Sequence, residues 1–481
     1  MAGCRESDGK EQSPPLDPST SPRQPFDSQR RHEIRNVIAM AVPGVITNSA
    51  RALMDFVDFI MVSRLKSDDA QAAVLSAQMY LWAYICLGVG VVSMVNTFAS
   101  QALGRQQPRE CSAYAWQTVY IAAAFGLVSL AFFPFLPVHF AWVGHSSGVQ
   151  EMELAFAEVG LLNVGPTIAS FGLSAFFMGV HRPYLAMWSV LEANVVNVVA
   201  SLILMFGFFG IEPMGIAGAA WGTLIATCYR VVRLAAPMMM PGFSATFQSR
   251  ETWKFSWKHT RDLFRVGTPL GLQWMSEILV WALFVSILVG KLFGTADLIA
   301  TNIAWQYMRI SFLPTIGVGQ ALTALVGKSI GAGHPERALR ETRLVVWITC
   351  TYMGATSLVY WFAGDHLIGW FNADPKVVEV GAGVMICAAV FQLFDALGIT
   401  YISALRGAGD TVAPAIAMTV SHWLVVIGAG WWMAVTFPSL GSIGPWIAAS
   451  ALIIIISFYL WWRWAGGTWR KIDLFKAGQG E

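Results

Sequence analysis

Long apolar runs separated by short polar segments fill the chain from about residue 36 to residue 464. The runs recur at the length of roughly 20 residues with which an α-helix crosses a bilayer. In lipid each backbone polar group must be satisfied inside its own segment, so the runs are predicted to be helices. Twelve runs can be counted. The pattern therefore predicts an all-α membrane protein with twelve transmembrane helices.

The composition supports a membrane protein. The chain has 481 residues, of which 56% are hydrophobic and 12% are charged, whereas soluble domains carry about 25% charged residues. So few charges could not cover a water-facing surface of this size. The six cysteines show no CxxC or Cys/His spacing, which argues against a metal or redox centre. Residues 1–35 are polar and rich in proline without an apolar signal core, so a disordered tail is expected.

The loop charges predict the orientation. Lys and Arg recur in alternate loops, at 104–110, 181–182, 250–265, 328–343, 406 and 463–471. The opposite loops are poor in them, and 137–151 and 437–442 contain none. By the positive-inside rule both termini are predicted to be cytoplasmic, with the protein in the plasma membrane, or the inner membrane of a Gram-negative bacterium.

The chain contains a weak internal repeat. "AVPG" at 41–44 is similar to "GTPL" at 267–270, "GRQQPRE" at 104–110 to "GAGHPER" at 331–337, and "FMGVHRP" at 177–183 to "LRGAGDT" at 405–411. "GIAG" at 215–218 is similar to "GSIG" at 441–444, and all four offsets lie between 226 and 228 residues. Six-helix lobes at 36–240 and 267–464 are predicted, with a cytoplasmic linker at 241–266 and a cytoplasmic tail at 465–481. Six spans per lobe give both lobes the same orientation, a design common in transporters.

Several acidic residues lie within predicted spans, among them Asp58, Asp395 and Glu277, which heads the apolar segment "SEILVWALFVSILVG" at 276–290. An unpaired ionised carboxylate is costly in a low-dielectric medium, so an acid inside a span is a candidate functional residue. A buried carboxylate is either protonated or paired with a cation. If a coupling ion and a cationic substrate compete for one negative charge, each displaces the other, which is what exchange requires.

Several motifs together resemble the multidrug and toxin extrusion (MATE) family, and most closely its NorM-like branch. The residues that carry the resemblance are "FVDFIMV" at 56–62, "NVVN" at 194–197, "GIAGAAWGT" at 215–223, Pro269 followed by Glu277, "GKSIGAGHPERA" at 327–338, Asp395, and "ALRGAGDT" at 404–411. The resemblance covers about positions 36 to 464. It implies two six-helix bundles arranged as a V and a secondary antiporter. The implied activity is export of cationic, amphipathic compounds in exchange for sodium ions or protons, with Asp58, Glu277 and Asp395 as the cation-coupling residues.

Other charges in the spans depart from the family pattern. Arg51 and Asp55 lie on the same helical face as Asp58, so Arg51 either neutralises one of two acids or forms a self-satisfied pair with Asp55. Arg309 is either a fixed counterion of Glu277 or Asp395, or extends its charge to the interface. Glu192 either borders a cavity in the first half or lines an inner vestibule.

Amide and aromatic side chains near these charges are candidate contacts for substrate or cation. An amide such as Asn302 could complete a sodium site with Glu277 and Asp395. Aromatic faces attract cations, although Trp and Tyr also collect at membrane interfaces. The candidates are Asn194, Asn197, Trp274, Asn302, Trp305 and Tyr307.

Other functions are less well supported by the sequence. A flippase for a lipid-linked saccharide is the alternative; it predicts a strongly cationic cavity, whereas the charges in these spans are mixed. A channel would not need two repeated lobes. No GxxxxGK[ST] loop and no nucleophile with a base at a recognisable spacing is present, so we expect neither an ATP-driven pump nor an enzyme. The expected partners are a small cationic substrate and membrane lipid, without nucleic acid or cofactor, and the protein is expected to be a monomer.

Overall fold

The computed structural model describes residues 26–65 and 68–475, and within these ranges the chain contains helices and no β-strand. The helices of the first half are α1 (Phe26–Ser63), α2 (Asp68–Ser93), α3 (Val95–Gly104), α4 (Pro108–Leu130), α5 (Leu136–Val143), α6 (Ser147–Gly179), α7 (Pro183–Phe206), α8 (Gly215–Met239) and α9 (Pro241–Phe247). Those of the second half are α10 (Trp257–Leu283), α11 (Thr295–Gly331), α12 (Pro335–Gly369), α13 (Pro375–Ala408), α14 (Val412–Ser421), α15 (Gly430–Thr436) and α16 (Ile443–Ala465).

Twelve helical stretches in this part of the chain are long and apolar enough to cross a membrane, which confirms the predicted fold class. Some spans contain more than one helical segment. α2 and α3 together form one span, and a π-helical segment at Phe284–Lys291 extends α10. A second π-helical segment, His422–Ala429, joins α14 to α15. Proline begins α4, α7, α12 and α13, where its missing N–H and fixed φ suit the first helical position.

The repeat seen in the sequence recurs in the backbone of the turns. Gln106 has φ of 60° and Gly333, which lies 227 positions later, has φ of 77°. His181 has φ of 58° and Gly409, which lies 228 positions later, has φ of 86°. Few residues other than glycine adopt this left-handed conformation. The two halves therefore turn the chain in the same way at corresponding places, although only one member of each pair is glycine.

The halves meet along two helix crossings built on glycine. A Cβ on Gly44 of α1 would lie 2.6 Å from the carbonyl oxygen of Gly317 in α11. A Cβ on Gly90 of α2 would lie 2.3 Å from Cα of Gly271 in α10. Gly271 follows Gly44, and Gly317 follows Gly90, by the same 227 positions, so the repeat relates one crossing to the other. Small residues of this kind let membrane helices approach until their backbones touch.

A third set of contacts joins the halves at the end of the molecule that carries the basic loops. We call this the basic-loop end and define it by residues 96–107, 320–334 and 403–411. Here a Cβ on Gly104 would lie 2.2 Å from the Lys328 carbonyl oxygen, and one on Gly331 would lie 2.1 Å from the Gln101 carbonyl oxygen. These pairs are again related by 227 positions. The structure thus has the two halves in close backbone contact at the basic-loop end.

Side chains of α3 add hydrogen bonds across the same junction. Asn96 Nδ2 donates to the carbonyl oxygen of Gln320 at 3.0 Å. Thr97 Oγ1 donates to the Arg406 carbonyl oxygen at 2.9 Å, and Gln101 Nε2 donates to the Gly407 carbonyl oxygen at 2.9 Å. The last carbonyl groups of a helix have no partner within that helix. Donors on α3 therefore satisfy the end of α13 only while the halves are together.

The two most specific sequence motifs shape this end of the second half. In "ALRGAGDT", the buried carboxylate of Asp410 accepts two hydrogen bonds from Arg463 of α16, at 2.7 and 2.9 Å. In "GKSIGAGHPERA", Ser329 and Arg337 both donate to the buried carboxylate of Glu341. Charge-assisted bonds of this kind compensate the cost of burying the acids. These residues therefore support the fold.

The boundaries of the predicted tails and linker differ from those of the helices. α1 begins at Phe26, so residues 26–35 of the predicted disordered tail are helical, and residues 1–25 lie outside the described part of the chain. The predicted linker 241–266 contains α9 and the first turns of α10. The tail after 464 is ordered through a short 3-10 turn at Thr468–Lys471 as far as residue 475. The division of the chain into lobes at these positions stays a prediction.

Candidate functional site

Two of the predicted acids lie near each other in the second half. Glu277 is on α10, six residues beyond the glycine at the α2 crossing, and its side chain is 33% exposed. Asp395 is on α13 and is half-buried. The negative charges of the two acids act on each other, and no hydrogen bond or ion pair to Asp395 is present among the described residues. The pair can therefore attract a cation into the space that it faces.

His422 is a neighbour of Glu277 that the sequence analysis missed. Its Nε2 lies 3.8 Å from Glu277 Oε1, and its Nδ1 lies 2.7 Å from the Met418 carbonyl oxygen. A carbonyl can only accept, so Nδ1 carries a hydrogen and Nε2 is the atom turned toward Glu277. His422 is the first residue of the second π-helical segment, and such segments are frequent at functional sites. The sequence signal that could have found it is a histidine inside an apolar span.

A cluster of aromatic rings lies one turn beyond Glu277. The ring centroids of Trp281 and Trp305 are 4.9 Å apart, and Trp446 lies 5.2 Å from Phe284 and 6.2 Å from Trp281. Trp281 is also 6.5 Å from the His422 ring. Trp281 lies one helical turn from Glu277 and packs against the predicted Trp305, and both rings have flat apolar faces that can attract an organic cation. Trp446 was not predicted.

Arg406 lies near Glu277, although the sequence predicted a different role for it. It was counted as a basic loop residue, but it belongs to α13 and its guanidinium lies 5.7 Å from the centroid of the Trp274 ring. Trp274 is three residues before Glu277 on α10, and the charges of Arg406 and Glu277 attract each other. The charge of Glu277 also acts on the Cys86 thiol of α2, the helix that α10 crosses at Gly90 and Gly271. Glu277 therefore faces the junction between the halves.

In the first half, Asp58 is half-buried on α1, and the side chain of Asp55 lies outside the described residues. Arg51 places its guanidinium 4.2 Å from the centroid of the Phe171 ring, a cation–π contact. Arg230 of α8 is a second positive charge, which is buried and was not predicted. It donates to Ser170 Oγ at 3.4 Å and to Ser174 Oγ at 2.8 Å. The first half therefore holds positive charge as well as Asp58.

Three polar candidates of α7 hold helices together. Glu192 accepts from Arg233 Nε at 2.7 Å and from Tyr229 Oη at 3.0 Å. Asn194 Nδ2 donates to the Ala50 carbonyl oxygen of α1 at 2.8 Å. Asn197 contacts Thr223 of α8 and accepts from Ser201. The charge of Glu192 is thus paired within its own half, and both amides are used in helix packing.

The remaining candidates lie on α11. Tyr307 Oη donates to the Leu367 carbonyl oxygen at 2.8 Å, and its own carbonyl accepts from Tyr360 at 2.7 Å, so it connects α11 with α12. Asn302 is exposed, and Arg309 is half-buried. The structure thus gives Tyr307 a packing role and leaves Asn302 accessible.

The donor groups bear on the candidate sodium site. Hard cations prefer several oxygen ligands. Glu277 and Asp395 supply carboxylate oxygens, but among the described residues no group of three or more His, Cys, Asp and Glu side chains could hold a metal ion. A sodium ion at these acids would depend on amide, carbonyl or water oxygens for its other ligands. A proton would need only the carboxylates themselves.

Two repeated six-span halves in close backbone contact, with the acid Glu277 facing their junction, define a membrane protein of the secondary-transporter type. The MatE family model matches residues 43–203 and 272–432, once in each half and with starting points 229 positions apart. The chain belongs to the multidrug and toxin extrusion family. The resemblance that the motifs suggested is thereby confirmed.

Named relatives and solved structures agree with this assignment. A probable multidrug resistance protein NorM of Mesorhizobium japonicum is 27% identical over 456 residues, covering 90% of this chain and 94% of that protein. Another of Bacillus subtilis is 25% identical over 435 residues, covering 88% and 93%. The structure of a multidrug resistance MATE family transporter in an outward-facing conformation superposes with a TM-score of 0.81 at 18% identity, covering 92% of this chain and 97% of that one. The last comparison supports the fold alone.

Proposed function

We propose that the protein exports cationic, amphipathic compounds in exchange for a cation by alternating access between its two halves. The observation that carries the proposal is that Glu277, whose charge also acts on Asp395, faces the junction with a cluster of tryptophan rings one turn further along its helix. The carboxylates supply one charge site for which substrate and coupling ion compete. The aromatic and apolar surfaces give affinity for organic cations without fixing one shape.

The names of the relatives support multidrug export over the flippase alternative. The mixed charges of the junction, with Arg406 beside two acids, also differ from the strongly cationic cavity that a lipid-linked saccharide would need. We further propose that the basic-loop end faces the cytoplasm, with both termini on that side of the plasma membrane. The contacts at that end then correspond to a state closed toward the cytoplasm.

The exchange rests on different affinities in the two states. A ligand shifts a conformational equilibrium only through such a difference. A carboxylate that loses its cationic partner in an apolar interior is costly, so occupancy by a proton, a sodium ion or the substrate shifts which state is populated. Asp58 is proposed as a further cation-coupling residue in the first half.

The test is export of a monocationic dye from proteoliposomes, with imposed sodium and proton gradients applied one at a time. We expect export with at least one gradient, and which gradient drives it identifies the coupling ion. Glu277→Gln and Asp395→Asn keep the side-chain volume but remove the charge, so each should abolish gradient-driven export. Glu379→Gln, an exposed acid on the same helix as Asp395, is the matched control and should retain it. Wild-type rates in both test variants would overturn the coupling role, and no wild-type export under either gradient would overturn the function.

A further inference from the structure

Arg406 is a permanent positive charge next to the proposed cation site. Its guanidinium lies over the Trp274 ring at 5.7 Å. Trp274 and Glu277 are three residues apart on α10, so they lie on the same face of that helix. An arginine stays charged under all physiological conditions. Arg406 therefore offers Glu277 a counter-charge that belongs to the protein and competes with any mobile cation.

The backbone around Arg406 belongs to the contact between the halves. Thr97 Oγ1 donates to the carbonyl oxygen of Arg406 itself, and Gln101 Nε2 donates to that of Gly407. The end of α13 is thus held by the other half while its side chain extends toward α10. One residue connects the charge state of the site with the closure of the basic-loop end.

We propose that Arg406 is the resident counter-cation of Glu277 and that it couples the occupancy of the cation site to closure of the basic-loop end. This inference rests on the proposed function. Without a mobile cation, the guanidinium compensates the Glu277 charge, and the empty site stays compatible with the closed contacts. A substrate or coupling cation that binds the Glu277 carboxylate weakens the attraction that holds Arg406 toward α10. Arg406 acts through Glu277, so it is a positioning residue.

The test combines equilibrium binding and transport of a fluorescent monocationic dye for Arg406→Gln and Arg406→Lys. Removing the competing charge should tighten dye binding by about tenfold, because unit charges a few ångströms apart in a partly buried site attract strongly. KM and the maximal export rate should both fall in Arg406→Gln, whereas Arg406→Lys should stay near wild type. Arg182→Gln is the matched control, since Arg182 also stacks over an aromatic ring, Phe243 at 5.1 Å, but lies in the other half.

Two outcomes would overturn the role of Arg406. One is unchanged dye affinity and KM in a folded Arg406→Gln protein. The other is equal impairment of Arg406→Lys and Arg406→Gln, which would make the residue structural. The tighter binding must also disappear when Glu277→Gln is added, because the two effects share one interaction. Dye binding is measured in detergent, so it is independent of the export assay that tests the proposed function.

A second inference rests on a different feature, the C-terminal segment of residues 468–475, which we call the strap. It begins in its own half, where the buried Trp469 stacks on Trp464 of α16 with ring centroids 4.3 Å apart. Leu474 packs against Gly409, where a Cβ would lie 2.8 Å from the leucine side chain. Trp469 therefore fixes the start of the strap to the second half, and Leu474 keeps the far end in contact with that half as well.

The far end of the strap packs on the first half. Asp473 accepts a hydrogen bond from Arg105 Nη2 at 2.7 Å, and the Arg105 guanidinium lies 4.4 Å from the centroid of the Phe475 ring. Phe475 meets the rings of Phe98 and Tyr114 edge-on at 6.1 and 6.3 Å. Arg105 belongs to the turn after α3. The strap thus crosses the junction at the basic-loop end with one ion pair and one aromatic anchor.

The geometry points to a clasp: the strap holds the two halves together at the basic-loop end and has to leave the first half when that end opens. Its contacts add to the backbone contacts of Gly104 and Gly331 and exist only in the closed arrangement. Losing the anchor should therefore raise the population of the open arrangement without changing either half.

The test measures the distance between spin labels at Gln107→Cys and His334→Cys, two exposed positions in the corresponding turns of the two halves, in a background without other reactive cysteines. Deletion of residues 473–481 and, separately, Phe475→Ala should increase the fraction of long distances. Deletion of 476–481 is the matched control and should match wild type, because it leaves the contacts of Asp473 and Phe475 in place. Unchanged distances in a folded protein lacking 473–481 would overturn the clasp, as would an equal effect of the shorter deletion.

Discussion

Gly331→Ala should open the basic-loop end, and the structure gives the backbone separation that the added methyl group requires. A Cβ at this position would lie 2.1 Å from the Gln101 carbonyl oxygen, whereas ordinary contacts begin at 3.4 Å. The backbones would have to separate by about 1.3 Å for the contact to become normal. A carbonyl of an α-helix cannot rotate away as a side chain can. The least costly response is for the halves to part.

The free-energy cost sets the expected shift in population. Overpacking of a close contact costs about 1–3 kcal/mol. Because this cost falls on the closed arrangement alone, it changes the equilibrium constant between closed and open by roughly 5-fold to 150-fold. Gly104→Ala should have a similar effect, since its Cβ would lie 2.2 Å from the Lys328 carbonyl oxygen.

The spin labels at positions 107 and 334 measure this shift directly. Gly331→Ala should move the distance distribution toward long distances and slow export, because the transport cycle needs the closed state as well. Gly354→Ala is the control: a Cβ there meets nothing closer than 3.9 Å, so the distances should stay as in wild type. A wild-type distance distribution in Gly331→Ala, or an equal change in Gly354→Ala, would show that the close glycine contact does not hold the basic-loop end closed.

Three further predictions concern stability and binding. Asp410→Asn should lower the free energy of unfolding in detergent by about 3–5 kcal/mol, because it leaves Arg463 without its buried partner, and an undiminished melting temperature would contradict this. Burial lowers the pKa of His181 to about 4 from an ordinary 6.5. Between pH 6.5 and pH 4 the His181 side chain is therefore protonated in the unfolded chain but not in the folded one. Stability should fall as the pH drops through that window, and His181→Gln should show a smaller fall in thermal unfolding measured from pH 7 to pH 4. Trp281→Ala should weaken binding of a monocationic dye severalfold by removing an aromatic face beside Glu277, measured against Trp347→Ala, an exposed tryptophan of α12, which should bind as wild type.

The amino-acid sequence by itself determined the class of protein, the number of spans and the repeat. These properties follow from local pattern: an apolar run of sufficient length has to be a helix in lipid, and a common offset among motifs requires repeated halves. Glu277 could also be found this way, because a charge in an apolar span stands out without knowledge of its neighbours, whereas Asp395 was singled out through the family resemblance.

The tertiary structure alone decided which side chains lie together. Arg406 looked like a loop charge that marks orientation, yet it lies over Trp274 beside Glu277. Glu192, expected either to border a cavity or to line an inner vestibule, is paired with Arg233, and Asp473 of the predicted tail crosses to Arg105 of the other half. The physical reason is that helical periodicity tells which face of a helix is apolar but not which helix covers it. The contact of Arg105 with Asp473 depends on how the two halves dock, whereas those of Arg406 with Trp274 and of Glu192 with Arg233 depend on how helices pack within one half.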